Sequence, residues 1–262
     1  MSLPPVVPPK VAEAHRWSFH DTPDPLTRFL RDRRQKRALR ELLRQTGTRP
    51  ETWGRVLVVC GGVGGEGTFL RKQGFRDVTV SEFDATLLQV MRKRDPKLQG
   101  TAGDAQRLPF VDASFDLVLV QDGIHHLKNP ALGITEMLRV ARRAVVVIEP
   151  HDGLVARLLG IRIEREGGQE NFVFRWNHRM FVQVVSSFLV GSLFRVRTLR
   201  FWDHSLAMLR FFRWLPDDRL KLLGMQLGYG LLTFSDGLAG NMFVGIVIRR
   251  NDATSARKGE GR

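Results

Sequence analysis

Blocks of apolar residues alternate with amphipathic stretches through the middle of the chain. Four short runs have the length and apolarity of strands: 55–60, 78–82, 115–120 and 144–150. The stretches between them repeat apolar residues at helical spacing over 65–72, 85–93 and 131–143. Because runs that are apolar on both faces are typical of parallel strands covered by helices, the pattern predicts βαβ units.

A basic amphipathic helix is predicted ahead of these units, over 28–45. Its sequence, RFLRDRRQKRALRELLRQ, carries an apolar stripe at helical spacing among many cations: Phe29, Leu30, Leu39, Leu42 and Leu43. The cationic face has two interpretations, a solvated surface or a surface that meets a phosphate or carboxylate.

The pattern changes after Pro150. Residues 180–194 are apolar but shorter than a membrane span and interrupted by Gln and Ser, so a buried helix is expected there. Strands are predicted at 193–202 and 244–249, and the aromatic stretch 203–240 between them predicts a helical insert packed over the site.

Composition narrows the class of protein. The 262 residues are 43% apolar, which suits one α/β domain with extra elements. The single cysteine, Cys60, excludes a disulfide framework within the chain, and the proline-rich start MSLPPVVPPK has no apolar core of a signal peptide. We expect a cytoplasmic protein without a membrane span, with a flexible arm at the start and a disordered polar tail at 251–262.

The net charge of +14 invites a nucleic-acid interpretation. The cations, however, are 33 Arg against 8 Lys and are spread along the whole chain, as a general arginine bias would also produce. Nucleic acid is therefore not the expected partner.

A glycine-rich loop follows the first strand. Gly62-Val63-Gly64-Gly65-Glu66-Gly67 has the spacing G-x-G-x-x-G, and Glu82 follows about 20 residues later. Bare backbone N–H groups at the start of a helix and an acid for ribose hydroxyls suit an NAD-dependent enzyme as well as an adenosine-binding one. This loop alone leaves both classes open.

Four motifs in order favour the second class. They are VLVVCGGVG, VTVSEFDATLLQVMRKR, GDAQRLPFVDASFDLVLVQDGIHHL and EMLRVARRAVVVIEP. Over residues 55–150 the chain resembles the class I S-adenosylmethionine-dependent methyltransferases of the small-molecule branch. The resemblance implies a Rossmann-like, doubly wound, mainly parallel seven-stranded α/β sheet, here with an N-terminal helical extension and a helical lid near the C-terminus.

The resemblance also implies roles for individual residues. The loop Cys60, Gly61, Gly62 and Gly64 would hold the amino-acid part of S-adenosylmethionine, and Glu82 the ribose hydroxyls. Phe83 would stack on the adenine, Asp104 would accept its amino group with Ala105 alongside, and Gln121 would line the methionine end. The reaction product would be S-adenosylhomocysteine.

Two positions depart from the family pattern. The acid near the end of the first strand is Val58, and the first glycine of the loop is Cys60. Glu66 or Gln121 is expected to take over the contact to the cofactor's ammonium group.

Candidates for proton transfer follow the later strands: Asp122, His125, His126, Glu149, His151 and Asp152. Of these, Asp122, His125 and His126 are the predicted catalytic residues, although a loop-packing role is the alternative for the two histidines. No His and carboxylate set has metal spacing, so no essential metal is expected.

Together these features predict four regions. Residues 1–50 form the arm and basic helix, 51–150 the cofactor-binding core, 151–250 the acceptor-binding insert with the last strands, and 251–262 the tail. The predicted function is methylation of a small apolar metabolite (aromatic, polyketide-like or isoprenoid, with a carboxylate or phosphate) in specialised metabolism, with a homodimer left open. The alternatives are an RNA methyltransferase using the basic helix and a non-catalytic regulatory protein that binds the cofactor.

Overall fold

The computed structural model describes residues 25–153, 157–158, 163–166, 169–190, 194–203, 211–212 and 214–249. The predicted arm at the start and the predicted tail at 251–262 lie outside these residues, as does the part of the insert at 204–210. Within the described ranges, no helix is long and apolar enough to cross a membrane.

The chain forms helices and strands in the predicted alternation. The strands are β1 (Arg55–Val59), β2 (Asp77–Glu82), β3 (Gln99–Ala102), β4 (Phe115–Gln121), β5 (Ala141–Pro150), β6 (Ile163–Glu166), β7 (Gln169–Phe172), β8 (Phe194–Phe201) and β9 (Met242–Arg249). The helices are α1 (Pro25–Thr46), α2 (Gly65–Lys72), α3 (Ala85–Arg94), α4 (Pro130–Val140), α5 (His178–Phe188), α6 (Asp218–Leu232) and α7 (Asp236–Ala239).

Seven of the strands form one sheet in the order β3-β2-β1-β4-β5-β9-β8. The first five are mutually parallel, and β9 is antiparallel to both of its neighbours. The reversal of strand order beside β1 is the topological switch point at which open α/β sheets bind their ligands. The predicted Rossmann-like, mainly parallel seven-stranded sheet is confirmed.

Helices cover both faces of the sheet. In β1, Val56 and Val58 face a core shared with α1, α2 and α3, while Leu57 and Val59 face a second core shared with α4 and α5. This period of two follows from the strand pleat, and it explains why β1 reads as continuously apolar.

Two helices differ from the sequence prediction. The fourth helix was expected to run to Arg143, but it ends at Val140 and β5 begins at Ala141, because Ala141 pairs with Phe115 of β4. The expected buried helix at 180–194 is α5, which buries only one side through Phe181 and Val185.

Candidate active site

The carboxyl ends of the five parallel strands bring the predicted site residues to one edge of the sheet. Cys60 follows β1, Glu82 ends β2, Asp104 follows β3, Gln121 ends β4 and Pro150 ends β5. The site residues predicted from separate motifs between Cys60 and Gln121 therefore lie along a single edge, as parallel topology requires.

The glycine loop turns sharply between β1 and α2. Gly62 and Gly64 adopt left-handed backbone angles, with φ of 49° and 82°, and the N–H of Gly64 donates to the carbonyl of Gly61 over 2.8 Å. Cys60 is also left-handed, with φ of 53°, at the position where the family has glycine. A Cβ added at Gly62 would meet no atom within 4 Å, so open space lies beside the loop.

Glu82 ties the loop to the second strand. Its Oε2 accepts a hydrogen bond from the N–H of Gly62 over 2.9 Å, and its Oε1 accepts from the N–H of Asp84 over 3.1 Å. Burial raises the pKa of Glu82, against the opposing effect of these N–H groups. Phe83, the next residue, is 73% exposed beside this carboxylate.

The loop after β3 lies against the same carboxylate-bearing strand. Gly103 donates its N–H to the carbonyl of Glu82 over 3.0 Å, and Asp104 accepts from the N–H of Gln106 over 2.8 Å. Ala105 is buried. The hydrogen bond of Gly103 therefore ties the loop that carries Asp104 to the end of the strand that carries Glu82.

Several carboxylates at this edge affect the pKa of the Cys60 thiol. Burial raises its pKa well above the ordinary value, and Glu82, Glu149 and Asp104 raise it further. Three carboxylates from different strand ends thus act on one point of the loop. Such a cluster gives the edge a negative potential that favours a cationic ligand.

The floor below the loop is apolar. A Cβ at Gly61 would lie 2.6 Å from Cγ1 of Val80 and 3.0 Å from Cγ1 of Val58, and Val58 is fully buried.

Gln121 is also buried, but both polar atoms of its side-chain amide lack a hydrogen-bond partner. An unpaired buried amide carries a desolvation cost of about 1–3 kcal/mol for each polar group, so a polar ligand at this position would be stabilising.

Asp122 is held by an arginine that the sequence did not single out. The guanidinium of Arg34, on α1, contacts the carboxylates of both Asp122 and Asp203 in a buried ion pair. Burial lowers the pKa of Arg34, but the two carboxylates outweigh it and raise the pKa above the ordinary value. The basic helix is therefore anchored to the strand ends by its own charge.

His125 and Glu149 form a buried pair across β4 and β5. Nδ1 of His125 lies 2.6 Å from Oε2 of Glu149, and Oε1 accepts the N–H groups of Gly123 and Ile124 over 2.8 and 2.9 Å. An ionised carboxylate can only accept, so the imidazole proton belongs on Nδ1, which leaves Nε2 in the basic form when the ring is neutral.

A pocket of about 240 Å³ lies beside this pair. Its lining residues are His125, His126, Leu127, Lys128, Pro130, Phe172 and Phe174. His126 is exposed, whereas the ring of His125 is buried behind it, with the two ring centroids 4.1 Å apart. The pocket combines two aromatic rings, two imidazoles and one cation.

The remaining candidates have structural partners. His151 is buried, and its Nδ1 donates to the carbonyl of Gly240 over 2.9 Å. Burial and Arg200 lower the pKa of His151, against the opposing effect of the Gly240 carbonyl. Asp152 pairs with Arg157 over 2.7 Å, and the hydrogen bond from Arg157 lowers the pKa of Asp152.

Cations of the basic helix contact acids of the same chain. Arg31 pairs with Asp32, Arg37 pairs with Asp236, and Arg44 pairs with Glu41. Arg33 lies over the ring of Tyr229, with its guanidinium 4.0 Å from the ring centroid. Part of the positive charge on α1 is therefore paired within the chain, and Arg37 and Arg33 link the helix to other elements.

Within the part of the chain that the structure describes, no group of three or more His, Cys, Asp or Glu side chains is arranged to hold a metal ion.

Comparisons with known proteins place this edge in a recognised domain. Residues 57–148 match the family model described as "Methyltransferase domain". The demethylmenaquinone methyltransferase of Beutenbergia cavernae is 38% identical over 111 residues, 42% of this chain and 44% of that protein. The corresponding protein of Renibacterium salmoninarum is 38% identical over 88 residues, 34% of this chain and 37% of that protein. The chain thus spans less than half of the length of these relatives.

Solved structures share the whole fold at low identity. Magnesium protoporphyrin IX methyltransferase from Synechocystis, solved with bound S-adenosylhomocysteine, matches with a TM-score of 0.54 at 12% identity, over 84% of each chain. An S-adenosylmethionine-dependent methyltransferase from Thermotoga maritima matches with a TM-score of 0.52 at 17% identity, over 91% of this chain and 92% of that chain. The predicted class I methyltransferase resemblance is confirmed for the domain and the fold.

Proposed function

Because residues 57–148 are a methyltransferase domain on this fold, we propose that the protein transfers a methyl group from S-adenosylmethionine to a small, lipophilic aromatic acceptor. One observation carries the proposal. The glycine loop, Glu82, Asp104 and Gln121 of the matched region lie along one edge of the sheet, next to a pocket with aromatic walls. We place this activity in the cytoplasm.

The residues at the edge fit the cofactor. Glu82, already turned toward Gly62, would accept the ribose hydroxyls, with Phe83 against the adenine and Asp104 at its amino group. The negative potential around Cys60 suits a sulfonium and an ammonium group. The loop Cys60, Gly61, Gly62 and Gly64 would face the amino-acid end.

Gln121 would replace the acid that the family has at Val58. Its amide oxygen can accept from the cofactor's ammonium, and its amide nitrogen can donate to the carboxylate. This contact would satisfy both unpaired atoms of the buried side chain. Glu66, the other residue expected to compensate, lies in the first turn of α2 and is buried.

The acceptor would occupy the pocket beside His125 and His126. Phe172 and Phe174 offer ring faces to an aromatic acceptor, and Lys128 suits an anionic substituent at the pocket wall. The two relatives are named for the methylation of demethylmenaquinone, and this supports an acceptor of the quinol type with an isoprenoid chain. Carbon or oxygen methylation is compatible with this pocket.

When bound, the cofactor would supply an electrophilic methyl group, with its sulfur as the leaving group. The pocket residues contribute by holding the acceptor in line. His125 would take the proton that the acceptor loses, since Glu149 fixes its tautomer and stabilises the imidazolium that forms. Asp122 has no proton-transfer role in this proposal because Arg34 holds its carboxylate.

The two alternatives differ in what they require. An RNA methyltransferase would need the cations of α1 for phosphate, but several of them are paired with acids of the same chain. A non-catalytic binding protein would need no histidine oriented by a carboxylate beside the pocket, whereas Nδ1 of His125 contacts Glu149 there. Both features favour an enzyme acting on a small molecule.

Calorimetry tests the cofactor site. S-adenosylhomocysteine should bind to the wild type, and the Glu82→Ala variant should lose the binding, whereas NADH should give no heat with either protein. The Glu82→Gln variant keeps one acceptor oxygen for the N–H of Gly62. It is the matched control that separates loss of the carboxylate charge from loss of the loop's stability. Binding of NADH in place of S-adenosylhomocysteine would overturn the proposal.

A methyl-transfer assay tests the acceptor. Radiolabelled methyl groups should appear in a naphthoquinol with a short isoprenoid chain and not in total RNA. Labelling of RNA would favour the first alternative. Binding of the cofactor without labelling of aromatic, polyketide-like or isoprenoid acceptors would favour the second.

A further inference from the structure

One side of α6 is an exposed stripe of leucines. Leu220, Leu223, Leu227 and Leu231 follow one another at intervals of three, four and four residues, so they share one face of the helix. Their exposure rises along the helix from 48% to 72%, and Phe234, just after the helix, is 90% exposed. A run of exposed large apolar side chains marks an interaction surface.

The opposite side of α6 fixes the orientation of this stripe. Met225 and Tyr229 are buried against Leu26 and Leu30 of α1. An ordinary surface helix has one apolar face, whereas α6 has a buried apolar face and a second, exposed one. Core packing therefore accounts for the inner side only.

Aromatic residues extend the exposed surface. Phe212 packs against α6 so closely that a Cβ at Gly224 would lie 2.6 Å from its ring. Phe211 meets Phe212 edge to face, and both Phe211 and Trp214 are largely exposed. We call the exposed leucines of α6 with Phe211, Trp214 and Phe234 the outer face.

Charge distinguishes two partners that could cover this apolar surface, a second copy of the chain and a lipid bilayer. Arg219 and Lys221 of α6 are balanced by Asp217 and Asp218, and Nζ of Lys221 pairs with Asp218 over 2.9 Å. The helix itself is therefore close to neutral, whereas the chain as a whole carries a net charge of +14. Two copies of a protein with this net charge repel each other, whereas a surface of anionic lipids attracts the chain. A helix that exposes a face of leucine and aromatic residues is the type that lies in a bilayer interface.

We propose that the outer face docks on an anionic lipid bilayer. The inference rests on the proposed function, because a lipophilic acceptor dissolves in the bilayer and has to be collected from it. Helix α1 connects α6 to the site edge of the sheet. Leu26 and Leu30 of α1 pack against α6, and Arg34 of the same helix pairs with Asp122, just after β4. Docking through α6 would hold the site edge of the sheet, with its acceptor pocket, near the lipid.

Vesicle co-sedimentation of the full chain tests the proposal. The wild type should pellet with phosphatidylcholine vesicles that contain phosphatidylglycerol, and should pellet much less with phosphatidylcholine alone or at high salt. The Leu223→Ser/Leu227→Ser variant should bind at least about tenfold more weakly, since two leucine side chains no longer enter the apolar layer. Because both leucines are exposed, its melting temperature should match the wild type.

Leu132→Ser is the matched control. Leu132 is also an exposed leucine on a helix, but it lies on α4, away from the outer face, so its replacement should leave vesicle binding unchanged. Equal binding by the double variant and the wild type would overturn the proposal. A wild-type dimer that the double variant dissolves, with no vesicle binding by either, would overturn it in favour of a second copy.

Methyl transfer to a water-soluble naphthoquinol without a chain separates this proposal from the proposed function. The double variant should retain wild-type activity on that acceptor and lose activity on a long-chain acceptor held in vesicles. Activity on neither acceptor in the wild type would count against the proposed function, whereas equal activity of both proteins on the vesicle-held acceptor would count against docking.

Discussion

Nδ1 of His125 and Oε2 of Glu149 are 2.6 Å apart in a buried contact between the loop after β4 and the end of β5. The second oxygen of Glu149 accepts two backbone N–H groups of the same loop, from Gly123 and Ile124. One carboxylate therefore holds both the backbone of the loop and the tautomer of its histidine.

Replacing Glu149 by glutamine should separate these two roles. The amide oxygen of Glu149→Gln can still accept the backbone N–H groups, but its NH₂ faces Nδ1 and favours the tautomer with the proton on Nε2. Since a positioned base contributes about 10²-fold or more, we expect kcat to fall by that order while cofactor binding persists. A kcat equal to that of the wild type would remove His125 as the proton acceptor.

Glu149→Ala is the companion variant. It leaves two buried N–H groups and the imidazole without their acceptor, which should cost about 3 kcal/mol or more in the free energy of unfolding. Urea denaturation measures this loss. A loss below about 1 kcal/mol would mean that water replaces the carboxylate and that the loop does not depend on it.

Two glycines of the loop should respond differently to the same substitution. In Gly62→Ala the new Cβ meets no atom, so only the left-handed backbone angle costs stability, about 1 kcal/mol. In Gly64→Ala the Cβ would also lie 2.5 Å from Cγ of Met91, and overpacking adds about 1–3 kcal/mol. Urea denaturation of the two variants compares these costs.

Cofactor binding should separate the two glycines further. The Cβ of Gly62→Ala enters the open space beside the loop, so this stable variant should lose affinity for S-adenosylhomocysteine in calorimetry. Wild-type affinity in Gly62→Ala would show that the cofactor does not approach this side of the loop.

The sheet and the edge could be predicted from the sequence because they rest on local patterns. Apolar runs such as Val56–Val59 mark strands buried on both faces, and the residue types at strand ends indicate where a ligand binds. Strand β3, Gln99–Ala102, was missed because it pairs only with β2 and has no apolar pattern. The β6–β7 hairpin was missed for a related reason, since its residues are mostly polar.

Long-range pairs could not be predicted from spacing. Arg34 reads as one of many cations in a basic helix, and only the fold brings it to Asp122 and Asp203, 88 and 169 residues away. Glu149 was expected at the edge, but its contact with His125 depends on the register between β4 and β5. The basic face of α1 had two interpretations partly for the same reason, because Arg34 and Arg37 pair with acids in distant parts of the chain.

Arg34→Met should be strongly destabilising. Methionine fills the space of the aliphatic stem but leaves the carboxylates of Asp122 and Asp203 without their buried counter-charge, and breaking such a pair costs about 3–5 kcal/mol. The free energy of unfolding in urea measures this. Arg44→Met is the control, because solvent screens the exposed pair of Arg44 with Glu41 and the pair contributes little to stability. Equal losses in the two variants would contradict the anchoring role of Arg34.

Acid should destabilise the protein through His151. Its pKa is lowered in the folded state, mainly by burial, so the unfolded chain binds the proton more readily. The stabilising contribution of the neutral ring is complete above the unfolded pKa of about 6.5 and is lost as the pH falls from that value toward the folded pKa. In His151→Asn the side-chain NH₂ can still donate to the carbonyl of Gly240 but does not titrate. The free energy of unfolding of this variant should therefore depend less on pH between about 7.5 and 5 than that of the wild type. A pH dependence of His151→Asn equal to that of the wild type would exclude His151 as the source of acid sensitivity.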